Sequence, residues 1–307
     1  MLRAASFLLL IISTLCCAQD RLRVNTNLVN MSFSARDSKG GLVENLTKDD
    51  LEVLEDNVPQ KVSFFVRSSD VPLTLGLIVD YSDSQEHFYK KHRHDLEVFL
   101  KDVLGPNDKV FLIAFGNHLR LVSDDSQNGQ EVLDHLREFD RGERNFPEIG
   151  PRMDRELGTA FYDSIFYSVE EKLAKQQGRR ALLIFSDGED NSSSHDMMTT
   201  IESAQAHNVP VFCIRTTQLK RGQMTARNQY GIRVMDRVAR ETGGRHFDAS
   251  TTDARDYLRE ITDELRSSYE LAYYPTRPMK DSTFRKVLIR GKEKDLVIRA
   301  KTGYFSR

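Results

Sequence analysis

The sequence predicts an α/β protein: a central, mostly parallel sheet flanked by helices in a Rossmann-like arrangement, with a small β-sandwich-like domain built from its two ends. Three observations predict this. Between Leu73 and about Arg266, short apolar runs alternate with amphipathic helical stripes, the pattern of a parallel sheet covered on both faces. Before that stretch, Val29, Met31, Phe33 and Ala35 alternate with polar neighbours. After Tyr269 the strand pattern returns.

In the first flank, Val62, Phe64 and Val66 alternate as a second candidate strand, and Asp37–Gly41 and Glu55–Asn57 punctuate the strands as turns. The apolar runs of the middle segment are Leu73–Val79, Val110–Phe115, Ala181–Phe185 and Val209–Ile214. Helical spacing relates Leu96, Phe99, Leu100, Val103 and Leu104, then Phe161, Ile165, Val169 and Leu173, and later Leu258, Ile261 and Leu265, each stripe reading as core. The last flank offers strands at Leu271–Tyr274, Arg285–Arg290 and Leu296–Lys301, with Leu296, Ile298 and Ala300 inward. A two- or three-stranded sheet is marginal alone in water, so the two flanks are expected to pack together with the α/β domain inserted between them. The expected division is a signal peptide at 1–18, a strand-rich segment at 19–70, the α/β domain at 71–268, and a second strand-rich segment at 269–307 packed with the first.

The length of 307 residues with 39% apolar content permits at least one sizeable core. Forty-four basic and 46 acidic residues are spread along the chain without a basic stripe, which argues against nucleic acid as a partner. Arg3 followed by the apolar stretch Ala4–Leu15 and the small Ala18 reads as a secretory signal cut after Ala18, placing the protein outside the cell or in a bacterial envelope. The run is too short for a membrane span, and no second run approaches that length. Ser13 and Thr14 stand three residues before Cys16 and Cys17, where a lipoprotein signal has Leu, so lipidation is disfavoured. Cleavage would leave Cys213 alone, without an internal disulfide, inside the apolar run Val209–Ile214 as a buried strand thiol. The Asn-x-Ser/Thr sequences at Asn30, Asn45 and Asn191 are common by chance and decide nothing.

The chemistry sits in three loops. Asp80-Tyr81-Ser82-Asp83-Ser84 begins where an apolar strand ends, and ligands of open α/β sheets bind at the carboxyl ends of strands. Asp80, Ser82 and Ser84 offer one carboxylate and two hydroxyls, oxygen donors that suit a hard cation. Gly158-Thr159 precedes a helix, and Ser186-Asp187-Gly188-Glu189-Asp190 closes another strand. Taken singly, each loop reads as well as a helix cap or a turn; three in order, each at a strand end or helix start, favour a metal site.

This order of residues resembles the metal-ion-dependent adhesion site of the von Willebrand factor type A (vWA) family, whose pattern is Asp-x-Ser-x-Ser, then a Thr, then an Asp closing a strand. The resemblance implies that Ser82, Ser84 and Thr159 are hydroxyl ligands and that Asp80 and Asp187 hold the ion directly or through water. It implies a divalent cation, Mg²⁺ foremost with Mn²⁺ or Ca²⁺ as alternatives, and an open coordination position for an acidic side chain of a protein partner. Tyr81 and Asp83 depart from the small residues commoner at those positions. Along its length the chain also resembles the vWA-related secreted proteins of acidobacteria, in Gly41–Leu46, Asp49–Val53, Glu55–Asn57, Tyr269–Pro275 and Gly303–Phe305. The expected function is therefore a secreted, non-enzymatic adhesion module. The alternatives are a metal-assisted hydrolase using the same loops and a structural vWA domain with an empty site.

Other chemistries find less support. Phosphoryl transfer through a strand-end aspartate wants a second Asp two residues on, where Ser82 stands. There is no Gly-x-Ser-x-Gly elbow, His-Glu-x-x-His helix or Gly-rich phosphate loop. His87, His92 and His94 sit among Glu86, Lys90, Lys91 and Arg93 and read as a solvated helix face. Two long loops are expected, Asn145–Pro151, which should shape the partner surface, and Gln218–Tyr230.

Overall fold

The computed structural model describes residues 28–68, 71–151, 158–219, 222–279, 281–292 and 295–306. The signal peptide and the lipidation question fall outside them. The first flank supplies β1 (Val29–Arg36), β2 (Leu51–Glu55), β3 (Val58–Gln60) and β4 (Val62–Arg67). The middle of the chain runs β5 (Leu73–Asp80), α1 (Tyr89–Val103), β6 (Lys109–Phe115), β7 (Leu119–Ser126), α2 (Gly129–Arg141), α3 (Phe161–Tyr167), β8 (Arg179–Ser186), α4 (Met197–Ala206), β9 (Val211–Arg215), α5 (Ala226–Thr242), β10 (His246–Asp248) and α6 (Ala254–Arg266). The last flank adds β11 (Ser268–Tyr273), β12 (Phe284–Gly291), β13 (Val297–Ala300) and β14 (Gly303–Phe305).

The central sheet has the order β10-β9-β8-β5-β6-β7, parallel except for the antiparallel pair β6·β7. The four predicted apolar runs are its β5, β6, β8 and β9. Leu75, Leu77, Ile78 and Val79 of β5 are wholly buried because helices cover both faces. On one face, Leu96 and Phe99 of α1 pack with Leu136 of α2 and Ile261 of α6. On the other, Phe161 and Ile165 of α3 pack with Ile201 of α4 and Val238 of α5. Each such side chain, fully buried, contributes about 1.5–3 kcal/mol before conformational entropy is charged against it. The ends of the helices are set locally. Asn128, Asp196, Thr225 and Asp253 each accept a backbone N–H of the first turn, and Gly142 and Gly243 terminate α2 and α5 in the left-handed conformation.

The flanks form two antiparallel sheets, β13-β1-β11-β4 and β14-β12-β2-β3, each mixing strands from both ends of the chain. Met31, Phe33, Tyr269 and Leu271 of the first meet Leu51, Val53, Val287 and Ile289 of the second in one core. Within it the carboxylate of Glu55 accepts hydrogen bonds from Tyr273 Oη (2.9 Å), Tyr304 Oη (2.8 Å) and Arg285 Nη1 (3.1 Å), joining β2 to β11, β14 and β12. A buried carboxylate with these donors is satisfied, and loss of any one would leave it short.

Three expectations need correction. Phe64 and Val66 are 56% and 51% exposed, while Val62 and Phe65 pack against the flank core. A register shift where β4 pairs with Ala272 and Tyr273 of β11 takes Val62 out of simple alternation with Phe64. His92 is 1% exposed, against the end of β8, so this histidine does not belong to a solvated face. Residues 226–230 are the first turns of α5 rather than loop, begun by the capping box of Thr225 and Asn228. Asn145–Pro151 is loop as expected, stitched along β7 by Leu121 N–H to Pro147 O (2.8 Å) and Ile149 N–H to Leu119 O (3.1 Å), with Phe146 and Ile149 buried.

Candidate metal centre

β5 delivers Asp80 to the carboxyl edge of the sheet, and the chain turns at once. Asp80 Oδ1 accepts the Ser82 N–H (2.9 Å), an Asx turn that holds the loop tight, and Asp80 Oδ2 accepts Ser186 Oγ (2.6 Å) from the end of neighbouring β8. A short 3₁₀ turn, Asp83–Phe88, then leads into α1, with Ser82 as its N-cap residue and Asp83 exposed in its first turn. Tyr81, the bulky departure from the family pattern, stacks on Tyr89 with ring centroids 4.3 Å apart and donates to Asp140 (2.6 Å), so it props the loop from outside.

The first and third loops meet. Ser84 Oγ donates to Asp187 Oδ2 (2.7 Å), and Ser82 Oγ lies 3.2 Å from Ser84 Oγ. Asp187 sits one residue past β8, its Oδ1 accepting the Glu189 N–H (3.1 Å). Gly188 adopts φ +76°, and α5 passes so close that a Cβ on Gly231 would fall 2.2 Å from the Asp187 carbonyl oxygen. The second loop reaches the third through Asn191: Thr159 N–H donates to Asn191 Oδ1 (2.7 Å), and Thr159 O accepts the Asn191 and Ser192 N–H groups (3.1 and 3.2 Å). It is tied to the first by Ala160 N–H donating to Gly116 O (2.9 Å), beside the Tyr81 backbone. Asp80, Ser82, Ser84 and Asp187 are thus joined in one cluster by side-chain hydrogen bonds, Asp80 through Ser186 and the Ser82 amide, whereas Thr159 is placed by its backbone alone.

Sequence reasoning missed Gln85, which is fully buried under the cluster. Its Nε2 donates to Asp187 Oδ2 (2.9 Å) and Thr216 O (3.2 Å), while its Oε1 accepts Thr216 Oγ1 (2.6 Å) and lies 3.4 Å from His92 Nε2. Nothing local in the sequence marks this role, because Asp187 and Thr216 lie more than 100 residues away. Burial pulls the His92 imidazole down to about 3, helped by Lys91, so the ring is neutral in this network.

Two carboxylates in one water-poor cluster repel each other. Burial foremost, then the Asp187 charge, pushes Asp80 up to about 7 against the opposing bonds from Ser186 and Ser82. Neither Asp80 nor Asp187 is paired with a basic side chain among the described residues; the nearby Arg227 binds Glu189 instead, Nε to Oε2 2.6 Å. Burial also raises Glu189 and Asp190. Asp190 is occupied by the Tyr162 N–H at the start of α3 (3.2 Å) and by Ser193 Oγ. The donor set of two carboxylates and hydroxyls, all oxygen and carrying uncompensated negative charge, fits a hard divalent cation. Among the described residues no group of three or more His, Cys, Asp or Glu is placed to hold a metal. Cys213, in β9, is fully buried with its thiol pushed upward by burial, as an inert core residue.

The chain resembles several solved structures at low identity. One is an aerotolerance-related membrane protein from Bacteroides fragilis NCTC 9343, at 15% identity over 63% of this chain and 98% of that one, with a TM-score of 0.47. A second is the conserved hypothetical protein BatB from Bacteroides thetaiotaomicron, at 14% over 63% and 97%, also 0.47. A third is proximal thread matrix protein 1 from the mussel byssus, at 12% over 64% and 49%, with 0.45. No curated protein matches the chain. The profile of the von Willebrand factor type A domain matches residues 74–247, from the start of β5 to β10. With that match over more than half its length, and the parallel sheet and strand-end loops described above, the chain belongs to the von Willebrand factor type A domain family.

Proposed function

We propose that this protein is a non-enzymatic recognition module that binds a protein partner through a divalent cation held by Asp80, Ser82, Ser84, Thr159 and Asp187. The single observation that supports this reading best is the 2.7 Å bond from Ser84 Oγ to Asp187 Oδ2, which brings the Asp-x-Ser-x-Ser loop and the strand-closing Asp loop to one point. Domains of this family typically mediate protein interactions. With few formal charges around it, a bound Mg²⁺ would stay electrophilic and exchange a water for an acidic side chain of the partner. For the hydrolase alternative, the two carboxylates that follow Asp187 are already engaged, Glu189 by Arg227 and Asp190 by Tyr162 N–H and Ser193. Secretion into a bacterial envelope or beyond belongs to the same proposal and rests on residues 1–18. No helix among the described residues is long and apolar enough to cross a membrane.

Calorimetric titration of Mg²⁺, Mn²⁺ and Ca²⁺ into the purified protein tests the site. Saturable binding that disappears in Asp80→Ala and Ser82→Ala is expected. Retention of full affinity by both variants, with a native-like circular dichroism spectrum, would sink the reading.

A further inference from the structure

A roomy cleft lies at the other end of the α/β domain, between the amino-terminal ends of β5, β8 and β9 and one face of the β13-β1-β11-β4 sheet. Its volume is about 290 Å³. The other face of that sheet carries Met31, Phe33 and Leu271 into the flank core, so strand alternation turns Ser32, Ser34, Glu270 and Arg299 toward the cleft. A seam between two packed layers is ordinarily apolar or closed; this one is roomy and charged.

Its charges do not balance. Arg179, Arg180, Arg299 and Lys301 line it, with Glu264 and Glu270 as the carboxylates. Glu264 is already within 3.6 Å of three guanidinium groups, Arg36, Arg245 and Arg299, so its negative charge is met outside the cleft as well as within. Glu270 is left to face Arg180, whose pKa is lowered by burial and raised by Glu270. Lys301 is buried with one bond, Nζ to Gln205 O (2.7 Å), and burial followed by the Arg180 charge pulls it down to about 7. The side chains of Arg180, Ser32 and Ser34 make no hydrogen bond among the described residues, so the cleft presents unpaired donors and more positive than negative charge.

We propose that this cleft binds a small polyanion carrying two or more carboxylate or phosphate groups, with Arg180 as its principal ion-pair partner and Ser32 and Ser34 as hydroxyl donors. The guanidinium fork suits either kind of group. The volume is near the lower end of small-molecule sites, the size of a metabolite rather than a polymer. Occupation would tie the flank sheets to the α/β domain at the pole opposite the candidate metal centre, and it needs no cation.

The test is calorimetry on the full chain in excess EDTA, with citrate and pyrophosphate as probes and glycerol as the neutral control. Saturable binding of at least one anion with a Kd of about 1 mM or tighter is expected, weakened roughly tenfold or more in Arg180→Gln, the loss of a charged hydrogen bond. Ser34→Leu, which fills the cleft without touching a charge, should abolish binding while the circular dichroism spectrum stays native. Preference for citrate would identify a carboxylate ligand, and preference for pyrophosphate a phosphate. Absence of saturable binding up to about 10 mM, or undiminished binding by both variants, would overturn the proposal.

Discussion

Gln85 shows how one buried side chain can hold a site it is not part of. It follows the Asp-x-Ser-x-Ser loop directly, yet it faces inward, where an amide would be costly without partners. Its Nε2 and Oε1 together engage Asp187, Thr216 and, at longer range, neutral His92. Replacing it by Leu keeps the volume but leaves the Thr216 hydroxyl only a long 3.5 Å contact to His92 Nε2 and removes a donor from Asp187. A loss of about 1–3 kcal/mol in unfolding free energy is expected, the usual cost of an unsatisfied buried polar group. Urea denaturation of Gln85→Leu checks this; a change below about 0.5 kcal/mol, the range of surface substitutions, would mean the network is idle.

At the scale of elements, the site depends on how closely α5 passes the loop after β8. The helix touches the Asp187 carbonyl at Gly231, a position with no Cβ, and the partner loop turns through Gly188 in the left-handed conformation. Gly231→Ala would ordinarily favour a helix by up to about 1 kcal/mol. Here a methyl 2.2 Å from a backbone oxygen must displace one element or the other. Overpacking of this kind costs about 1–3 kcal/mol, so a net loss of stability is expected despite the better propensity. The same variant should bind Mg²⁺ more weakly, because the loop that moves carries Asp187. A melting temperature at or above that of the native protein would show that α5 can retreat freely.

Across the whole molecule, the two flanks and the α/β domain are joined in part through Lys301, just after β13, whose amine reaches Gln205 of α4. Burial, then the Arg180 charge, holds its folded pKa at about 7, well below the ordinary lysine value of 10.5. Between those two values the unfolded chain binds more protons than the folded one, so this group makes stability rise with pH from about 7 toward 10.5 and imposes its full penalty below 7. Lys301→Met should remove that slope, which at its steepest is about 1.4 kcal/mol per pH unit. Denaturant titrations of both proteins at neutral and mildly alkaline pH decide it: parallel pH profiles would show that Lys301 is charged in the fold.

Local pattern was enough for much of this protein. Apolar runs identify four parallel strands, helical spacing identifies α1, α3 and α6, and the strand pattern reveals β1, β4, β11, β12 and β13 of the flanks though not β2, β3 or β14, because these signals follow from the geometry of a few consecutive residues. The Asp-x-Ser-x-Ser loop and the strand-closing Asp187 are legible for the same reason. What depends on residues distant in sequence was not: the β4 register, shifted where it meets β11; the burial of His92, imposed by the end of β8; and Gln85, whose partners Asp187 and Thr216 lie over 100 residues away. The cleft is the extreme case, since its walls come from both ends of the chain and from its middle, and only their packing decides which charges are left facing one another.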